Sequence, residues 1–395
     1  MSNMKKLYWY SFCNECVFAY PVYAVYFVRE GLSLFQLSML LGWWCISSLL
    51  LEMPSAALGD QYDRRLQLAV SPIFKAICFL VWFAAGGSFM LYALGFLVWS
   101  AAGALQSGTF EALLFDTLKS DNRTDDYERE LGRIRLFSLA GIALASICGG
   151  IIARYWMGAC FLLPVLPLAA ASLIGMSLRE PARYGEQRDT RYIDHFVTAW
   201  RELRSNRTLR YTFIYQVVGI SLIYEVEEYN PLYCGDVGYT AFFLGVYLAL
   251  QNAAESIGSL IGYRLKSTRR LECLVPLGCG IVLVLSGVLM SKVMVFLIVG
   301  MYLLASAIQV VIGARGQRAI VAGGSRATIS SCCGMAGALV AIPFTLLFGW
   351  ISKFYGLGPG YVMAGLVLLA FSMWVARTQK KDTGTGLDRT KSGSV

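Results

Sequence analysis

Long apolar runs separated by short polar connections recur from one end of the chain to the other. A helix crossing a hydrocarbon core about 30 Å thick needs about 20 residues. The runs predict helical spans 1 to 12 over 7–29, 33–58, 67–86, 89–118, 133–153, 156–178, 208–232, 238–263, 272–290, 293–316, 327–351 and 357–377. The expected fold class is therefore an all-α membrane protein, with two six-helix bundles at 1–178 and 208–378. The longest polar stretch, 179–207, links them, and a disordered tail is expected over 379–395. Leu7 opens a full-length span, so no separate cleavable leader is expected. Within the linker Tyr192, Ile193, Phe196, Val197, Trp200 and Leu203 recur at helical spacing among arginines, the pattern of an amphipathic helix lying on a membrane surface. His195 falls in that helix as an interfacial residue.

Composition agrees. Hydrophobic residues make up 57% and charged residues 15%, with mean hydropathy +0.57, against roughly half and a quarter in soluble domains. The charge distribution then gives direction. Lys and Arg at 64–65, 119–135, 179–210, 264–270, 315–326 and 377–391 fall on one side, and Arg29, Arg154, Lys292 and Lys353 on the other. The positive-inside rule places both termini in the cytoplasm and makes an even number of spans consistent. It also accounts for the +9 net charge without nucleic-acid binding. A bacterial inner-membrane location, lipid contacts and a monomer are the corresponding expectations.

Enzyme chemistry finds little support. No GxxxxGK[ST] loop or Ser/His/Asp constellation is present, and no cofactor is expected. Cys13 and Cys16 have CxxC spacing, but the chain has a single His, and most of its 11 cysteines lie in apolar runs as small hydrophobes. No metal site is expected.

An internal repeat supports the two bundles. Glu52 and Gly59 end span 2 before Arg64 and Arg65, and Glu255 and Gly262 end span 8 before Arg269 and Arg270. The Glu and Gly pairs share one offset, which also carries Gln106 of span 4 onto Gln309 of span 10. Such repeats are common in transporters.

Ionisable residues deep in a span are functional candidates, because hydrocarbon solvates charge poorly. Glu15, beside Asn14, lies about 12 Å into span 1. Glu111 lies about 10 Å from the inner end of span 4, and Asp116 faces about 140° away from it around the helix. Glu225 and Glu228 share a face of span 7 toward its outer end. Glu255 could serve the inner gate or transport. Gln106 could supply a neutral contact. Arg315, at the inner end of span 10, could pair with Glu111, bind an anionic substrate group, or snorkel to the surface.

The segment Glu52-Met-Pro54-Ser-Ala56-Ala-Leu-Gly-Asp60-Gln-Tyr-Asp63-Arg64-Arg65 resembles the loop signature of the major facilitator superfamily, with Ala56 and Asp63 where glycines are usual. Arg326-Ala327-Thr328-Ile-Ser330 and Gly108-Thr-Phe-Glu111-Ala-Leu-Leu-Phe-Asp116 are similar to further segments of that family. Gly141, Gly149 and Gly150 match the span 5 motif of drug-exporter members, with Ala145 and Ser146 where it has glycine and proline, and span 4 lacks their arginine. The resemblance implies twelve spans in two pseudo-symmetric bundles, with spans 1, 4, 7 and 10 lining a cavity. Glu15 and Glu111 would then meet as a proton-carrying pair. It also implies a conformational latch in which Asp60 meets the start of span 11 and Arg64, next to Arg65, pairs with Asp116. The implied activity is proton-coupled export of a small amphipathic cationic or zwitterionic compound by alternating access. Nutrient uptake and a non-transporting receptor, scaffold or lipid scramblase are the alternatives.

Overall fold

The computed structural model describes residues 2–61, 63–180, 200–265, 269–320 and 326–391, without the side chains of 52–61, 326–328 and 380–391. The side chains of Glu52 and Asp60, the start of span 11 and His195 lie outside what is described. Among the described residues every regular element is helical and there is no strand.

Nine helices are long and apolar enough to cross a membrane among the described residues. The other three expected spans have identifiable reasons for falling short. Span 1 is divided into Asn3–Glu15 and Tyr23–Arg29. Span 7 passes from Arg207–Ile214 through a π-helical turn, Tyr215–Ile220, into Ser221–Glu225 and a 3-10 turn. Span 8, Ala241–Arg264, is continuous but carries Gln251, Asn252 and Glu255 near its middle. The last helix runs from Leu357 to Lys391, beyond the expected end of span 12 and into the expected tail. Extending a packed helix adds one hydrogen bond per residue without a new nucleation cost.

The chain forms two compact units, Met1–Asp189 with Cys234–Asn252, and Thr190–Tyr233 with Ala253–Val395. In the first, span 1 packs along span 5, span 3 lies between spans 4 and 6, and span 2 packs on span 4. The first contact depends on missing side chains: a β-carbon added at Gly141 or Gly149 would meet the carbonyl oxygen of Phe12 or Phe18. Backbones this close need small residues, as is usual where lipid gives helices no hydrophobic drive to associate. Gly150 meets Gly245 in the same way, which groups the first half of span 8 with this unit. In the second unit span 9 packs on span 12 through Gly280 against Gly365 and Gly287 against Gly358.

The repeat has a structural counterpart. The Tyr10 hydroxyl in span 1 donates to the Leu68 carbonyl in span 3 at 2.9 Å, and Tyr215 in span 7 donates to the Glu272 carbonyl in span 9 at 2.9 Å. Both acceptor helices contain a proline, Pro72 and Pro276, one turn further on.

Gly149→Val should cost about 1–3 kcal/mol through overpacking and lower the unfolding temperature in detergent. Gly132→Ala, at a glycine with open space around it, should leave it nearly unchanged.

Candidate functional site

Pro21 has no N–H to offer the Val17 carbonyl, and its ring crowds that carbonyl, which weakens a helix at this point. Span 1 accordingly stops at Glu15, near its midpoint, and resumes at Tyr23. In an unbroken helix the Asn14 carbonyl would accept from the residue 18 amide. Here it accepts from the Lys75 ammonium of span 3 at 3.2 Å.

The same ammonium lies 3.1 Å from Glu15 Oε1 and 5.1 Å from the centre of the Trp99 ring. Tyr20, inside the break, donates to Glu15 Oε2 at 3.0 Å. Asn14 Nδ2 donates to Glu15 Oε1 at 3.0 Å and to Gln106 Oε1 at 3.2 Å. Lys75 is 8% exposed and Glu15 23%. Each charge alone would be expensive at this depth, so the pair and its hydrogen bonds are what permit either.

Span 4 is interrupted as well. Its first segment ends at Gln106, and Gly108, at φ +71°, starts the second, Thr109–Ser120. That positive φ suits glycine and few other residues. The breaks in spans 1 and 4 thus meet through the Asn14 to Gln106 bond. Such interruptions are where membrane helices present polar groups to solutes.

Glu111 is exposed on the first turn after Gly108 and is not among Glu15's hydrogen-bonding partners. The expected carboxyl pair is replaced by a carboxylate and an ammonium. Arg315 likewise finds a different partner from Glu111: its Nη1 lies 2.7 Å from Glu272 Oε1 in span 9. Glu272, 1% exposed, also accepts from Tyr211 at 2.8 Å. Glu225 accepts from Thr345 at 2.8 Å; Glu228 and Glu255 are half-buried. The π turn directs Gln216 toward Cys333, which donates to it at 3.2 Å, and toward Gly313 and Gly316 of span 10.

The family model of the Major Facilitator Superfamily matches residues 8–331. The chain belongs to the major facilitator superfamily. It is similar in structure to a bacterial homologue of the human lysosomal transporter Spinster, at 16% identity and TM-score 0.73 over 96% of this chain and 97% of that one. It is also similar to the nucleoside transporter NupG, at 13% and 0.74 over 96% and 98%. A third relative is a POT family transporter bound to a thioalcohol-conjugated peptide, at 12% and 0.69 over 96% of each chain. A search of curated protein sequences gave no match. The fold is that of the superfamily, and the chain is an integral multi-pass membrane protein of a transporter family.

The superfamily's loop signature can now be placed. Arg64 Nη1 is 2.6 Å from Asp116 Oδ2, with the side chains 13% and 8% exposed. Asp63 caps the start of span 3, accepting from the Arg65 amide at 2.9 Å and from its guanidinium. Those hydrogen bonds from Arg65, against a smaller opposing effect of burial, hold the Asp63 carboxyl down to about 2. The usual glycine has been exchanged for a helix cap. At the same end Glu130, 2% exposed, accepts from Arg123 at 3.0 Å, from Arg133 at 3.1 Å and from Tyr8.

Lys75, Glu130 and Glu272 are functional or structural charges that the sequence pattern above does not mark. Lys75 had a usable signal, a lone cation in the middle of the apolar run 67–86. Pro21 had another, a helix breaker within span 1.

Removing one partner of a buried ion pair leaves the other uncompensated, so Arg64→Ala should destabilise by about 3–5 kcal/mol in chemical unfolding. Arg65→Ala, at a half-exposed pair, should do little at neutral pH and less at high salt. Because the folded-state value of Asp63 is depressed, its contribution is complete above its ordinary value near 4 and is lost as pH falls toward 2.

Proposed function

We propose that this chain is a proton-coupled secondary active transporter that exports a small amphipathic compound by alternating access, with Glu15 as the proton-carrying group. The observation that carries the reading is the Glu15–Lys75 ion pair at the break of span 1. An intramembrane carboxylate held by a single ammonium has two self-consistent states. Ionised, it pairs with Lys75; protonated, it loses its charge and releases that partner. A solute and a proton competing for one such group are exchanged rather than carried together, which favours export. Alternating access in this family works by large movements around a fixed site, and Arg64–Asp116 is suited to act as a latch that one state makes and the other breaks. Asp60, at the end of the span 2 helix, and Arg65, at the start of span 3, flank the same short connection and are the further members of that proposed latch.

Uptake is the second reading. The Glu15–Lys75 pair supports coupling, while the sense of flux depends on whether proton and solute compete or bind together. The structural relatives named for nucleosides and for a bound peptide conjugate give the solute classes to try first.

Purified protein in proteoliposomes with an imposed pH gradient should accumulate substrate against its gradient. Glu15→Gln should abolish the proton-driven component, by about tenfold or more, while leaving downhill exchange measurable. Full proton drive in Glu15→Gln would remove Glu15 from the coupling role.

A further inference from the structure

We infer that the site formed by Asn14, Glu15, Lys75 and Gln106 recognises a small electroneutral solute rich in hydrogen-bond donors, a zwitterion above all, in preference to a net cation. The inference rests on the transporter reading and names the substrate class of the same site.

Charge comes first. Counted alone, Glu15 would draw a cation. Lys75 Nζ, 3.1 Å from that carboxylate, cancels it and would repel any cation that approached the same oxygens. A net anion would meet the carboxylate itself. At low local dielectric these opposed terms are large, and a solute without net charge avoids both. A zwitterion does better than avoid them, because its ammonium and carboxylate can lie antiparallel to the Glu15–Lys75 pair.

Hydrogen-bond capacity gives the second requirement. The Lys75 ammonium faces the Asn14 carbonyl, Glu15 Oε1 and the Tyr20 hydroxyl. Glu15 accepts from Lys75, Asn14 and Tyr20. Asn14 Oδ1 is different: its residue is 0% exposed and the oxygen has no hydrogen-bond partner. Leaving such an acceptor empty costs about 1–3 kcal/mol, which a solute bringing an N–H or O–H would recover. The orphan is an acceptor, so the missing group is a donor.

Space and shape come from span 4. Trp99, Gly103 and Gln106 stand at i, i+4 and i+7 and therefore share one face. Trp99 is half-buried, with its ring against Tyr20 and Phe79. Gly103 is exposed, with nothing within 4 Å of an added β-carbon. An aromatic wall, a gap and an amide thus follow one another beside the ion pair, as an amphipathic solute with a polar head and an apolar body requires.

The test uses the purified full chain in detergent and four compounds on one skeleton: phenylalanine, 3-phenylpropanamide, phenethylamine and 3-phenylpropanoate. Thermal stabilisation is titrated with each at pH 7. In the wild type phenylalanine should bind about tenfold or more tighter than either singly charged compound, with the amide between. Lys75→Met should move the preference to phenethylamine and Glu15→Gln should move it to 3-phenylpropanoate. The inference is overturned if the wild type binds phenethylamine tightest, if none of the four binds, or if a folded single variant keeps the wild-type order. Should one variant fail to fold, the wild-type order and the other variant decide. Counterflow of labelled phenylalanine in proteoliposomes separates the two readings. Binding in the expected order without counterflow contradicts transport and supports the site assignment, whereas counterflow favouring phenethylamine supports transport and overturns the assignment.

Discussion

Hydrocarbon can neither solvate a charge nor satisfy a bare peptide group, and the first unit brings both problems to one point and lets each solve the other. Span 1 breaks off at Glu15, ahead of Pro21, and leaves the Asn14 carbonyl exposed; Lys75 enters from span 3 and is held by that carbonyl and by Glu15. Without the break, the ammonium would have one acceptor fewer. Without the ammonium, the carboxylate and the freed carbonyl would both be stranded. The interruption at Gly108 extends this arrangement by placing Gln106 where Asn14 can reach it. Polar chemistry at the middle of two spans is thus conditional on a single ion pair.

The same economy shapes the ends of the spans. In the first unit the start of span 3 offers the cation, Arg64, and the end of span 4 the anion, Asp116. In the second unit the start of span 9 offers the anion, Glu272, and the end of span 10 the cation, Arg315. Spans 3 and 9 correspond, as the tyrosine bonds from Tyr10 and Tyr215 show, but the sign of the charge at their start is reversed. What the repeat preserves is the demand that two neighbouring helix ends be neutral together. Which residue supplies which charge is free to change.

That distinction explains what could be read from the sequence. Span positions follow from membrane thickness, so runs of apolar residues sufficed for them, and Glu15 stood out because an acid at its depth has no bland explanation. Its partner was harder to see. Lys75 interrupts a run whose neighbours are apolar on every side, and nothing in a linear pattern says that it faces span 1. Arg315 stands out near the mouth of span 10, but its partner does not, because Glu272 sits at a helix start where acids are ordinary. In span 7 Pro231 lies just past the 3-10 turn Glu227–Tyr229, but the π turn Tyr215–Ile220 contains no proline to announce it; the small residues Gly313 and Gly316 that accommodate Gln216 gain meaning only when span 10 is placed beside it.

The central claim is that Glu15 and Lys75 act as one neutral unit, each present because of the other. A double-mutant cycle on stability tests it most directly, with unfolding free energies compared for the wild type, Glu15→Gln, Lys75→Met and the combined variant. Each single substitution should destabilise by about 3–5 kcal/mol, and the combined variant should recover most of that loss, since it removes both charges together. Losses that simply add would show two independent residues and contradict the account.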